Sequence, residues 1–506
     1  MTGPTAGAGE PSRPATGWRL RRASLAPGLV GELGLVGDRL VDPATLAAAA
    51  PVIDLEDRPV LAGLVDQHVH LSALAAAWTS VDVSPDALRR AGGLVAALRQ
   101  GRADRPKGWL RAVGYDVATS GALDRAGLDA AGVGPVRVQD RTGTTWTLDS
   151  LGLASVLPAD RDTWPAGVEL DASGRPTGRL VRLDAWLRAR LDDADRSDRD
   201  HPDHGPEHDR DDQRDRGEGP EPTGLGVLGT WLARRGVTSV VDASATNDTA
   251  ALTRLASAGL AQRIVAMTGH PDTAPVEGVE VGAVKVLLDD ADLPPLDELS
   301  GRVAAAHRHG RRVAVHCVTT VQLVLALAAG LGPGDRIEHG SVIPDQVVPL
   351  VAEAGVVVVT QPGLVRTRGD RYLAEVEEHE RAALYRLASL RRAGIPVAVG
   401  TDAPYGPADP WVHVAAAVDR RTRAGVEVGG DEAVDFATAV GLLQRDPLEP
   451  DHPRRRLVPG VPGDLCVLDT DWAAAVADPS AVRVHATWIG GRPVHGPHVD
   501  ADGPDL

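Results

Sequence analysis

The sequence predicts an α/β protein built on a (β/α)8 barrel of the TIM type, and two observations predict it. In residues 61–71 and 224–456, short β-branched runs alternate with amphipathic stretches, as in repeated βα units. There are eight such runs, the number that closes a barrel. Strands are expected at 64–70, 238–242, 263–267, 283–288, 312–317, 336–339, 355–360 and 396–402, and helices at 299–309, 321–329 and 381–393.

Both ends of the chain resemble small antiparallel sheets. Residues 18–60 and 457–498 alternate short apolar stretches with Gly and Asp turns. We expect the two ends to pair into one composite β-sandwich domain beside the barrel. Residues 1–17 are rich in Gly, Pro, Ala and Thr without a continuous apolar core, so they are expected to be disordered rather than a signal peptide.

Two long interruptions separate the first barrel strand from the second. Residues 72–191 are too long for a loop and carry apolar residues of their own, which predicts an inserted subdomain. Residues 192–223 are strongly acidic and nearly free of apolar residues, so we expect a disordered linker. Its histidines, His201, His204 and His208, could collect metal loosely, although a solvated spacer is the commoner meaning of such a segment.

The composition excludes several classes of function. The chain has 506 residues and a formal net charge of −17, which argues against a nucleic-acid or anionic-membrane partner. Two cysteines, Cys317 and Cys466, are too few for a disulfide framework or a four-thiolate zinc site. No apolar run is long enough to span a bilayer. A soluble cytoplasmic protein is therefore the expectation.

A His-x-His pair in the first barrel strand is the first chemical signal. His68 and His70 are two residues apart on a predicted strand, so both rings point to the same side. At the C-terminal end of a barrel strand, that side can face the catalytic mouth. Two imidazoles held on a stiff strand suit a divalent metal ion.

Four more polar residues stand at or near the ends of apolar strands: Lys285, His316, His339 and Asp402. Burying such groups without a partner or a metal would cost several kcal/mol, roughly 2–7 for each. Lysine is otherwise found only at Lys107, so Lys285 is conspicuous. Burial favours its neutral amine, which can react with carbon dioxide to form a carbamate ligand. The alternative is a lysine paired with Asp289, Asp290 or Asp402.

The order His-x-His, Lys, His, His, Asp resembles the amidohydrolase superfamily of metal-dependent hydrolases, and more narrowly its family 3, the branch that includes N-substituted formamide deformylases. The resemblance extends from Val52 to about Val494. The stretches that carry it are LAGLVDQHVHL, GWLRAVGYD, GRPTGRLVR, GVTSVVDAS, RIEHGSVIP, VVVTQP, AGIPVAVGTDAPYGPADPW and LVPGVPGDLCVLD. The resemblance implies the barrel and the composite β-domain described above.

The resemblance also implies roles for the polar residues. His68, His70 and Asp402 would hold the more buried of two divalent metal ions, expected to be zinc, and His316 and His339 the more exposed one. Carbamylated Lys285 would bridge the metals. The shared hydroxide would attack a non-peptide amide C–N bond of a small molecule, with Asp402 as general base and then general acid.

One stretch departs from the family pattern. Where the family carries Gly-His-x-x-Trp-x-Asn-Ser in the inserted subdomain, this chain has Thr144 in place of the histidine and Asp149 in place of the asparagine. A titratable pocket group is therefore missing. Trp146 is a candidate pocket wall or a core residue, and Tyr115 and Gln361 are weaker candidates for contacting substrate.

Other functions were weighed against this one. A mononuclear aminohydrolase that deaminates a heterocycle would usually place a glutamate soon after His316, but Cys317-Val318-Thr319-Thr320 follows. Hydrolysis of esters or other carbonyl compounds is chemically close and stays open. An inactive scaffold would typically lack several ligands, whereas all six are present. Homo-oligomers are common for this fold by analogy, but the sequence identifies no interface.

Overall fold

The computed structural model describes residues 17–184, 186–191, 224–453 and 455–499. The predicted N-terminal segment, 1–17, and the predicted acidic linker, 192–223, lie almost entirely outside the described residues. The chain divides into two structural units, Met1–Leu71 with Leu225–Leu506, and Ser72–Gly224. The second unit begins where the sequence places the start of the insertion.

Twenty-two strands are found in the described residues. In chain order they are β1 (Trp18–Ala26), β2 (Leu29–Val36), β3 (Arg39–Val41), β4 (Val52–Asp54), β5 (Val60–Ala62), β6 (Leu64–Val69), β7 (Val81–Asp82), β8 (Leu110–Tyr115), β9 (Val136–Asp140), β10 (Thr145–Leu148), β11 (Val168–Leu170), β12 (Pro176–Val181), β13 (Val237–Asp242), β14 (Arg263–Thr268), β15 (Glu280–Val286), β16 (Val313–Cys317), β17 (Arg336–His339), β18 (Val357–Thr360), β19 (Val397–Val399), β20 (Leu465–Leu468), β21 (Val484–Ile489) and β22 (Arg492–His495).

The α-helices connect or flank these strands. They span Leu71–Trp78, Pro85–Ala91, Leu94–Asp104, Val117–Ser120, Arg125–Asp129, Ser150–Val156, Gly224–Ala233, Thr249–Ala256, Leu296–Arg308, Thr320–Ala328, Val348–Ala354, Gly363–Glu375, Glu378–Arg381, Ala388–Arg392, Pro410–Asp419, Phe436–Leu442 and Trp472–Ala477. Among the helices of the described residues, none combines the length and the apolar character that crossing a bilayer requires.

Eight parallel strands, β6 and β13 to β19, form the predicted barrel in chain order. The last strand returns to the first through a parallel bridge between Val69 and Ala403. Two backbone hydrogen bonds lie at this seam: the Asp402 N–H donates to the His68 carbonyl at 2.7 Å, and the His70 N–H donates to the Ala403 carbonyl at 2.9 Å. Each predicted strand overlaps an observed one, and the fold class is confirmed.

In the barrel interior, apolar side chains precede two of the polar site residues along their strands. Ala283 and Ala314 belong to an apolar cluster with Val241, Val265 and Met267. Lys285 and His316 follow them by two residues on β15 and β16, so they extend from the same faces of those strands. On these two strands, alternation therefore places an apolar side chain below the polar group near the C-terminal end.

One helix prediction is wrong. A continuous helix was expected over 381–393, but Glu378–Arg381 and Ala388–Arg392 are separate. Between them Tyr385 has φ +46, and its N–H donates to the Ser341 carbonyl at 2.9 Å. The backbone there bonds to the segment after β17 instead of to its own preceding turn, so the helix is interrupted. The helix Gly363–Glu375 was not predicted because few of its side chains are apolar.

The two chain ends build the predicted β-sandwich. One sheet has the order β3-β2-β1-β4, and the other, β22-β21-β20-β5, joins the strand before the barrel to the last strands of the chain. Leu20 and Leu35 from the first sheet share one buried cluster with Leu465 and Trp488 from the second. The inserted unit has its own six-stranded sheet, β11-β12-β10-β9-β8-β7, and its own two apolar clusters.

Candidate metal centre

Polar side chains from the two ends of the barrel sheet and from its centre converge at the C-terminal ends of the strands. One ligand atom each from His68, His339 and Asp402 lies within 4.8 Å of the others. The Asp402 carboxylate is 3.7 Å from His68 Nε2 and 3.5 Å from His70 Nε2. The His316 ring centroid lies 4.6 Å from that of His339, and the His68 centroid lies 4.8 Å from it. The structure thus brings the four predicted histidines and the aspartate together.

The seam of the barrel sets the position of Asp402. Gly400 passes so close to the first strand that an added Cβ would lie 2.4 Å from the His68 backbone nitrogen. Buried Asp66 accepts from the Thr401 N–H at 2.8 Å and from the Thr401 hydroxyl at 2.6 Å. Asp402 itself takes φ +56, a conformation that L-residues rarely adopt. These constraints turn its carboxylate towards the histidines.

His68 is held by an acid that the sequence reasoning missed. Its Nδ1 is hydrogen-bonded to the carboxylate of Glu338, which is completely buried. The other carboxylate oxygen accepts from Arg336 Nε at 2.7 Å. The signal available in the sequence was a glutamate inside the predicted barrel strand RIEH, residues 336–339. Such a group needs a partner, but the sequence could not say which one.

Two other histidines contact neutral oxygen atoms. His339 Nδ1 lies 2.9 Å from Gln361 Oε1, and His70 Nδ1 lies 3.2 Å from the Ser244 hydroxyl. Gln361 was predicted as a substrate contact. In the structure it is completely buried, and its amide oxygen contacts a candidate ligand.

Lys285 reaches the same region from β15. Its side chain is 2% exposed, and within the described residues Nζ has no hydrogen-bond partner. The alternative of a lysine paired with Asp289, Asp290 or Asp402 therefore has no such contact to support it. Burial lowers the pKa of this amine, although the carboxylates of Glu338 and Asp402 oppose the shift.

The electrostatics of the cluster suit a cation. Burial lowers the pKa of His68 and of His316 to about 4, which favours neutral imidazoles with free lone pairs. Burial would raise the pKa of Asp402, but the hydrogen bond from His70 holds it below its usual range. Neutral nitrogen atoms beside a carboxylate are a ligand set that divalent zinc accepts. The buried His68 Nε2 has no hydrogen-bond partner in the described residues, as expected of an atom kept for a ligand.

Three predicted substrate contacts belong to the inserted unit. The Tyr115 hydroxyl donates to the Ser120 carbonyl at 3.1 Å, and Trp146 Nε1 donates to Asp184 at 3.0 Å. Trp146 belongs to a buried apolar cluster of that unit. The Thr144 hydroxyl lies on a turn, 2.8 Å from that of Thr142. Their roles towards substrate stay predictions.

Asp149, at the other point of departure from the family pattern, has a structural role. Its carboxylate accepts from the Gly152 N–H at 2.8 Å and so caps the helix Ser150–Val156. The same oxygen accepts from the Val136 N–H at 3.1 Å, which joins this cap to strand β9.

Comparison with known proteins agrees with this geometry. The family model described as "Amidohydrolase family" matches residues 51–495. N-substituted formamide deformylase of Arthrobacter pascens is 24% identical to this chain over 91% of the chain and 93% of its own length.

Solved structures show the same fold. An uncharacterised metal-dependent hydrolase of Pyrococcus horikoshii superposes with a TM-score of 0.68 at 21% identity, over 92% of this chain and 99% of its own. A similarly described hydrolase of Pyrococcus furiosus superposes with a TM-score of 0.64 at 20% identity, over 90% of this chain and 99% of its own. With a family match over most of its length and the barrel in place, the chain belongs to the amidohydrolase family and is a hydrolase that acts on carbon–nitrogen bonds other than peptide bonds.

Proposed function

We propose that this chain is a metal-dependent hydrolase that cleaves an amide-type, non-peptide C–N bond of a small molecule in the cytoplasm. One observation carries the proposal: five candidate ligands and a buried amine converge at the C-terminal mouth of the barrel, where active sites of this fold lie. Within the described residues, His68 Nε2 and Lys285 Nζ have no hydrogen-bond partner, and such atoms are expensive to bury unless something binds them.

Two divalent ions, zinc by preference, are proposed for the site. His68, His70 and Asp402 would hold one, and His316 and His339 the other. Such ions polarise a carbonyl group and lower the pKa of water. In its neutral form, which burial favours, the Lys285 amine would add to carbon dioxide. The N–C bond would form as one C=O π bond opens and the nitrogen loses one proton, giving a carbamate with two oxygen ligands.

Asp402 is the proposed proton carrier. Its carboxylate is ionised and lies within 4 Å of two histidine nitrogen atoms. It would accept a proton from the attacking water and pass it to the nitrogen of the leaving amine, as general base and then general acid.

The substrate class comes from the relative. Because the Arthrobacter pascens protein is named for deformylating N-substituted formamides, N-formyl and other N-acyl amines are the first compounds to assay. Thr144 replaces the histidine of the family pattern, so we expect a different preference among the amine substituents.

The test is metal content per chain, measured by inductively coupled plasma mass spectrometry, together with turnover of N-formyl amines. A variant with His201, His204 and His208 changed to asparagine controls for loosely held metal. About two ions per chain with turnover supports the proposal. One ion and no response to bicarbonate would favour the mononuclear deaminase, and none after supplying metal and bicarbonate would contradict metal-dependent chemistry.

A further inference from the structure

A buried ion pair lies in the barrel interior beside the candidate ligands. The side chains of Arg336 and Glu338 are 4% and 0% exposed, and both extend from strand β17. Moving an arginine and a glutamate out of water has a desolvation cost that their attraction does not reliably repay. A pair of this kind calls for a role besides stability.

Arg336 fixes the glutamate and the first strand together. Its Nε donates to one oxygen of Glu338 at 2.7 Å, and its Nη2 donates to the backbone carbonyl of Gln67 at 2.7 Å. Gln67 immediately precedes His68, and its side-chain amide donates to the Asp446 carbonyl at 2.9 Å. The guanidinium therefore links β17 directly to the strand that carries His68.

The second oxygen of Glu338 accepts from His68 Nδ1. A hydrogen on Nδ1 leaves the lone pair on Nε2, which is the atom that faces Asp402 at 3.7 Å. A carboxylate on the distal ring nitrogen also makes the imidazole a stronger donor. Ring orientation and tautomer of His68 are thus set by one buried acid, whose charge also opposes the loss of basicity that burial causes.

Two of the other candidate histidines, His70 and His339, differ in this respect. Nδ1 of His70 contacts a hydroxyl group and Nδ1 of His339 contacts an amide oxygen, both of which are neutral. The negative charge of Glu338 is therefore placed on the His68 side of the cluster.

We propose that Glu338 is a positioning residue that makes the metal position served by His68 and Asp402 the tighter of the two, with Arg336 holding Glu338 in place. This inference depends on the metal site of the proposed function. It predicts stepwise loading, in which the His68 position fills first and the position served by His316 and His339 fills second.

The experiment is titration of the metal-free full-length protein with Co²⁺, followed by its visible absorption and by calorimetry. In the native chain we expect two steps that differ at least tenfold in dissociation constant. In Glu338→Gln the tighter step should weaken by about 10- to 100-fold, the range typical of lost partners of metal-bound histidines. Ser244→Ala is the control at a neutral partner, and its tighter step should weaken less than Glu338→Gln does.

A second variant separates metal binding from folding. Glu338→Gln alone leaves the Arg336 charge buried without its partner, so it is compared with Arg336→Gln/Glu338→Gln, in which both members are neutral. The double variant should match the thermal stability of the metal-free native chain within a few degrees and still show the weakened step. An unchanged tighter step in both variants, or an equal loss in Ser244→Ala, would overturn the inference. If the native chain itself binds no metal, the proposed function fails as well.

Discussion

In the proposed mechanism, Asp402 would combine two roles at a single carboxylate, as a metal ligand and as a proton carrier. Replacing Asp402 with asparagine keeps an oxygen ligand of the same size but removes the proton acceptor. We expect kcat to fall by about 10²–10⁴-fold, the usual contribution of a general base, while most of the metal is retained. Steady-state kinetics measures the fall in kcat, and metal analysis of the same preparation measures how much metal is retained.

The matched control is Asp290→Asn. This exposed carboxylate accepts from the Thr319 hydroxyl at 3.0 Å and is not a candidate ligand. Its turnover should stay within about twofold of the native value. Turnover close to normal in Asp402→Asn would remove that residue from the mechanism.

Replacing Lys285 should stabilise the metal-free protein and weaken its metal binding, so one variant tests both effects. Because Lys285 Nζ is buried without a hydrogen-bond partner in the described residues, Lys285→Met should raise the free energy of unfolding of the metal-free protein. The expected gain is about 1–3 kcal/mol, the cost of an unsatisfied buried polar group. Metal content per chain should fall in the same variant. Denaturant titration and mass spectrometry measure the two effects.

Lys107→Met is the control for this substitution, since Lys107 is exposed and is the other lysine of the chain. Its free energy of unfolding should stay within about 0.5 kcal/mol of the native value. Its metal content should stay within about a tenth of an ion per chain. A Lys285→Met variant that keeps a full complement of metal would show that this amine is not a ligand.

The six candidate ligands were predictable because each stands at or near the end of an apolar strand, where its type conflicts with its surroundings. The role of Glu338 was not predictable, although this residue immediately precedes His339 in the sequence. Its partner His68 is 270 positions away, and strand alternation alone does not reveal a contact across the barrel. Gln361 shows the same limitation, because its contact with His339 spans two strands.

At the level of elements, the same substitution should have opposite effects at two glycines. In Gly400→Ala the new Cβ would meet the backbone of His68 at the barrel seam, so we expect a loss of about 3 kcal/mol in unfolding free energy together with weaker metal binding. In Gly301→Ala, inside the helix Leu296–Arg308, no atom of the described residues lies within 4 Å of the added methyl group. That variant should gain about 0.5–1 kcal/mol.

Thermal and denaturant unfolding of the two variants make the comparison. A stable Gly400→Ala protein with native metal affinity would mean that the approach of the last strand to the first does not constrain the ligands. Gly301→Ala also indicates whether the protein tolerates an added methyl group in general.

Strands were easier to predict than helices, for a physical reason. A parallel barrel strand is buried on both faces, so it appears in the sequence as a continuous apolar run, as in VVVT at β18. The interruption after Arg381 depends on a hydrogen bond from Tyr385 to Ser341, which no local pattern encodes. The helix Gly363–Glu375 buries few apolar side chains, so its periodicity is weak.

For the whole molecule, metal binding and stability should be coupled. A ligand that binds only the native state stabilises it, by about 2.7 kcal/mol when its concentration is 100 times the dissociation constant. We therefore expect a strong chelator to lower Tm and zinc to restore it, as measured by differential scanning calorimetry. In His316→Asn the chelator should lower Tm by less, because one ligand is gone. Equal Tm values for the native protein with and without chelator would contradict coupling through this site.

The seam also has a consequence for the order of events in the cell. Asp66, which lies on the first barrel strand, and Thr401, which follows the last one, are bonded although they are 335 positions apart. At 5–20 residues per second, a ribosome needs about 17–67 s to add that stretch. During this interval the nascent chain already displays His68 and His70 but lacks Asp402 to complete their site. We therefore expect the proposed site to bind metal only after the last strand has emerged from the ribosome.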